Sequence, residues 1–179
     1  MTATLARALR LDGSTWRRIS AMATPAGAAL VVFGAYVVFA FDRFGLQGFF
    51  EFRATARLLL TGLYGWMGLV AGTWLIARFA FGWLGSARLI VPLFGHAHLP
   101  LLLVAVLIQF SSVTLNLTAP ALWLAVFAGG FWLPAMLVVA TKNVASLTLR
   151  QATLAGGIPY VAWAAVVGRT LWRQLGHLL

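Results

Sequence analysis

Residues 56–81 read ARLLLTGLYGWMGLVAGTWLIARFAF, and the only charged side chains in the stretch, Arg57 and Arg78, stand near its two ends. About 20 apolar residues carry a helix across the hydrocarbon of a bilayer. This segment is long enough, and its interior holds no charge to place in water. Working outward, four further apolar blocks appear at about Pro25–Phe41, Leu99–Leu117, Ala121–Thr141 and Leu154–Val167. The expected fold is therefore an all-α integral membrane protein, a bundle of five transmembrane helices. Its membrane domain takes in residues 25–172. Residues 1–24 form a basic segment with room for a short N-terminal interfacial helix around Trp16-Arg17-Arg18-Ile19, and residues 173–179 a short C-terminal tail.

Composition argues the same way. Of 179 residues, 62% are hydrophobic and 9% charged, with a mean hydropathy of +0.94. Soluble domains carry about 25% charged residues, so lipid is the expected solvent for most of this chain. The net charge of +10 does not imply nucleic acid, because the basic residues are scattered singly between apolar blocks and phosphate tracking needs a clustered face. They suit contacts with anionic lipids and the setting of topology instead. With no cysteine, disulfides, thiolate metal sites and thiol nucleophiles are all excluded.

Orientation follows from the placement of Lys and Arg. With the N-terminus cytoplasmic, Arg7, Arg10, Arg17, Arg18, Arg78, Arg88, Lys142 and Arg150 fall inside, and Arg43, Arg53, Arg57, Arg169 and Arg173 outside. The excess inside favours a cytoplasmic N-terminus and an external C-terminus.

Four groups of residues could carry function. Gly62, Gly65, Gly68 and Gly72 recur at helical spacing on one side of the second span, and Gly68-x-x-x-Gly72 is a close-packing motif for membrane helices. These are expected to be helix-packing residues, within the chain or between chains. Gln109, Ser112 and Asn116 share a face of the third span, where polar side chains bond across helices or line a path. In the fourth span, Gly129, Gly130 and Pro134 predict a kink, since proline removes an amide donor from the helix ladder. His96 and His98 are placed in a Gly82–His98 loop as interfacial polar residues, and a third histidine, His177, lies far along the chain. No metal site and no cofactor are expected; the third reading, after scaffold and transporter, is a pigment- or metal-bearing subunit that uses His96 and His98.

Catalysis is not expected either. No acidic residue falls within an expected span; Asp42 and Glu51 lie in a loop among arginines. General acid–base chemistry needs a positioned titratable group, and no nucleophile elbow, metalloprotease or phosphate-loop pattern occurs.

The order of features is similar to that of one known family. Trp16-Arg17-Arg18-Ile19 precedes the first span, Gly82-Trp83-Leu84-Gly85-Ser86-Ala87-Arg88 closes the second, and Phe94-Gly95-His96-Ala97-His98-Leu99-Pro100 opens the third. Lys142-Asn143-Val144-Ala145-Ser146-Leu147-Thr148-Leu149-Arg150-Gln151-Ala152 then links the fourth to the fifth. Over about residues 15–170 this resembles the Yip family of five-span, Ypt/Rab-interacting membrane proteins, in its prokaryotic type. The resemblance implies a bundle with the N-terminus inside, the C-terminus outside and no catalytic residues, in a prokaryotic cell membrane. The eukaryotic relatives bind Rab-type GTPases through a long N-terminal region. Only about 24 residues precede the first span here, which leaves GTPase binding doubtful. The expected role is a non-enzymatic scaffold or accessory protein acting through helix–helix contacts with other membrane proteins or with itself. The alternative is a small transporter or lipid-handling protein using the polar third-span face and the kinked fourth span.

Overall fold

The computed structural model describes the backbone of residues 24–49, 52–114, 123–124 and 126–169, and the side chains of 24–38, 56–107, 123–124, 126–166 and 169. Among these residues every regular element is helical: α1 (Pro25–Phe49), α2 (Phe52–Phe81), a 3-10 turn (Ala87–Leu89), α3 (Ile90–Ala97), α4 (Leu99–Thr114), a π-turn (Ala128–Trp132) running into α5 (Leu133–Ala145), and α6 (Leu149–Trp163) running into a second π-turn (Ala164–Gly168). Two helical stretches, Ala56–Phe81 and Ala87–Leu107, are long and apolar enough to cross a membrane, and Pro25–Val38 is a shorter apolar helix. The expected interfacial helix and the C-terminal tail lie outside the described residues.

Local chemistry sets the boundaries. Gly82 takes a left-handed conformation (φ 70°) just past α2, with its N–H donated to the Arg78 carbonyl and that of Trp83 to the Ala77 carbonyl (3.1 and 3.0 Å). This is the glycine-terminated close that satisfies the last free carbonyls of a helix. The Trp74 indole N–H then bonds the Gly85 carbonyl at 3.1 Å and ties the following link back onto α2. At the start of α6, Thr148 and Gln151 form a reciprocal capping box. The Gln151 N–H donates to the Thr148 hydroxyl (3.3 Å) and the Thr148 N–H to the Gln151 side chain (3.0 Å). Ser146, at φ 52°, ends α5.

The core is organised around α3, the shortest helix. Six of its eight residues are buried: Ile90, Pro92, Leu93, Phe94, Gly95 and Ala97. It packs on α1, α2 and α5, while α2 lies along α6 and α1 also meets α4. Gly95 is what lets α1 approach, because a Cβ there would stand 2.3 Å from the Ala28 Cβ and 2.7 Å from its Cα. Val32, Tyr36, Trp66, Leu69, Met136 and Leu137 complete the same buried cluster.

Two expectations change. The Gly82–His98 stretch is not a loop throughout: after the 3-10 turn it is helical, and Pro92 sits in the first turn of α3, where its missing N–H has no intrahelical partner to lose. The fifth apolar block was expected to begin at Leu154. The capping box instead starts α6 at Leu149 and places Pro159 inside the helix. Gly129 and Gly130 sit in the π-turn Ala128–Trp132, and Pro134 follows in the opening turn of α5; a π-turn and a proline are both local features at which helices bend.

Candidate functional site

The glycine stripe of α2 divides three ways. Gly62 faces α1: a Cβ there would lie 2.4 Å from the buried Tyr36 ring, so the glycine is what seats that ring. Gly72 faces α6, its Cβ position 3.0 Å from two Pro159 side-chain atoms. Between them Gly65 and Gly68 line a groove, and at Gly68 nothing lies within 4 Å of a Cβ position. The two helices run antiparallel and meet at Gly72 and Pro159, and beyond that contact they border a groove of about 1020 Å³. Gly65, Gly68 and Leu69 line it from α2, and Pro159, Ala162 and Trp163 from α6.

Along its length the groove is chemically uneven. Arg57, Thr61 and Tyr64 gather at the end nearest the start of α2, whereas the lining from Gly65 to Ile76 and from Ile158 to Val166 is apolar apart from the Trp163 indole. Arg57 is exposed, and the Thr61 hydroxyl donates to the Arg57 carbonyl at 2.7 Å. Among the described residues no acidic side chain lines the groove.

Trp163 connects this face to the interior. Its ring meets His98 edge-on (centroids 6.3 Å apart, 85° between planes) and lies against Tyr160 (5.5 Å, 30°). The Tyr160 hydroxyl in turn donates to the Gly129 carbonyl in the π-turn before α5. His98 is fully buried between α3 and α4, not interfacial, which corrects the expectation made of it. Its Nδ1 is 2.7 Å from the Phe94 carbonyl, so Nδ1 carries the proton and Nε2 is an acceptor. Among the described residues that Nε2 has no hydrogen-bond partner, and Tyr36 and Trp163 lie side by side. His96, one helical turn from Pro92, bonds that residue's carbonyl through Nδ1 at 2.7 Å and is half-buried. The two histidines are not brought to a common ligand, and no group of three or more His, Asp or Glu lies together among the described residues.

Gln109 and Ser112 fall in the last turns of α4, where only the backbone is described, and Asn116 lies outside the described residues. Sequence reasoning did not find Trp163, Pro159 or Tyr160. The signal that joins Pro159 to Gly72 is tertiary. No protein-family model, no curated protein and no solved structure matches this chain.

Proposed function

We propose that this chain is a five-span integral membrane protein of the Yip-like type, with its N-terminus cytoplasmic and its C-terminus outside. In this reading it serves as a non-enzymatic scaffold or accessory protein through lateral contacts in the bilayer. Five helical rods support the span count: α1, α2, α3 with α4, the π-turn with α5, and α6 with its π-turn. The membrane reading draws on the outward faces. Only 28% of the apolar window of α2 is buried, and Leu60, Tyr64, Met67, Leu75 and Phe79 are exposed along it. A soluble monomer rarely leaves a continuous apolar face of that length to water.

The scaffold reading is carried by one observation: the groove over Gly65 and Gly68. Small residues leave a membrane helix open to close approach, and in α2 the outer glycines Gly62 and Gly72 are already used within the molecule, while Gly68 faces open space and lines the groove together with Gly65. The contact face is thus Gly65 and Gly68 with their borders on α6. Gly65→Leu and Gly68→Leu, purified from native membranes, are expected to lose partner proteins that the wild type retains on a native gel. Unchanged migration and unchanged co-purification in both variants would remove this face from the proposal.

A further inference from the structure

We infer that the α2–α6 groove holds one anionic phospholipid, with its headgroup at Arg57 and an acyl chain along Gly65 and Gly68. Partners at this face then meet the protein across a bound lipid. The inference rests on the membrane-scaffold reading and names what fills its contact face.

The lengthwise polarity of the groove is that of an amphiphile. Its polar side chains, Arg57, Thr61 and Tyr64, fall within two turns at one end, and the remainder offers apolar walls and a glycine floor. From Arg57 to Gly68 the helix rises about 16 Å, close to half of a hydrocarbon core about 30 Å thick, so an acyl chain that follows the groove from Arg57 to Gly68 spans the depth of one leaflet. Gly72, seated on Pro159, lies one helical turn further along.

Charge selects among occupants. Among the described residues Arg57 is the one cation in the lining, and no acidic side chain belongs to it. A guanidinium at the membrane surface attracts a phosphate and its neighbours' negative charge. A second copy of this chain fits worse. A twofold contact between parallel copies uses the same patch twice and would bring Arg57 against Arg57 with no acid in either lining. A partner helix would have to bring its own carboxylate to the level of Arg57.

The test uses the full chain in nanodiscs of equal parts phosphatidylglycerol and phosphatidylcholine, transferred to mild detergent for native mass spectrometry. The expected result is one retained phosphatidylglycerol per protein. Arg57→Gln should cut the preference for phosphatidylglycerol over phosphatidylcholine by about fivefold, the scale of one basic residue near an anionic surface. Gly68→Leu should lose the retained lipid of either kind, and Phe79→Leu, exposed on α2 outside the groove, should keep it. Equal retention in wild type, Arg57→Gln and Gly68→Leu would overturn the inference, as would retention without headgroup preference or a protein partner that co-purifies with the lipid expelled. Carbonate extraction separates the two levels. A chain stripped from membranes at high pH refutes the membrane reading itself, whereas one that stays in membranes and fails the lipid assay refutes the lipid alone.

Discussion

At the scale of single residues, glycine does different work at positions that look alike. Gly95 touches backbone: an added methyl meets the Cα and carbonyl of Ala28 as well as its Cβ, at 2.7, 2.8 and 2.3 Å. A rotamer change cannot relieve that, so α1 and α3 must part. Gly95→Ala is expected to cost about 1–3 kcal/mol, the usual range for overfilling a packed interior, and to lower the melting temperature in detergent. At Gly68 an added methyl meets no other part of the chain, and Gly68→Ala is expected to leave that temperature within error; a larger loss for Gly68→Ala than for Gly95→Ala would refute the packing role assigned to Gly95. Tyr160→Phe removes a side-chain bond to the Gly129 carbonyl. Hydrogen bonds between membrane helices average about 0.6 kcal/mol, so the melting temperature should fall only slightly; a loss of several kcal/mol would mark this contact as the clasp between α6 and the π-turn.

At the scale of elements, the capping box decides where α6 begins, and it is a local, sequence-encoded device. Thr148 and Gln151 stand three apart before an apolar run, the pattern that marks a helix start. It was passed over because Arg150 and Gln151 read as a polar link. Thr148→Ala is expected to cost about 1 kcal/mol. Amide exchange in the first turn of α6 should speed up by roughly fivefold, with little change at Gly156 and beyond; uniform protection along α6 would show that packing on α2, not the cap, sets that boundary. The long second helix was legible from uninterrupted apolar residues between two arginines, and Gly82 marked its end. The α3 segment was not, because Gly85, Pro92 and Gly95 punctuate it as a loop would be punctuated. Its helicity comes from burial among α1, α2 and α5, and Gly95 is there for the approach of Ala28. The division of the glycine stripe was also illegible, since it depends on Tyr36 and Pro159, which are distant in sequence. His98 was misread for a related reason: two polar rings next to a proline look interfacial, yet the Phe94 carbonyl satisfies one ring nitrogen within the same turn and the ring goes inward.

At the scale of the whole molecule, the two links that end α2 and α5 lie together. Trp83 and Phe81 pack on the cluster formed by Ala77, Ala145, Leu147, Ala152 and Ala155, so the 82–86 and 146–148 connections share one end of the bundle. In a five-span chain they must then face the same side of the membrane, which in the proposed orientation is the cytoplasmic one. Because the chain has no cysteine, single-cysteine variants report topology without a background. Leu84→Cys and Ser146→Cys, both at exposed positions, are expected to resist a membrane-impermeant maleimide in intact cells and to react fully once the membrane is opened. Reaction of both in intact cells would invert the orientation while keeping the bundle. Reaction of one alone would break the pairing of the two links, and with it the five-span path, since an odd number of crossings would then separate two connections that the packing of Trp83 and Leu147 brings to one end.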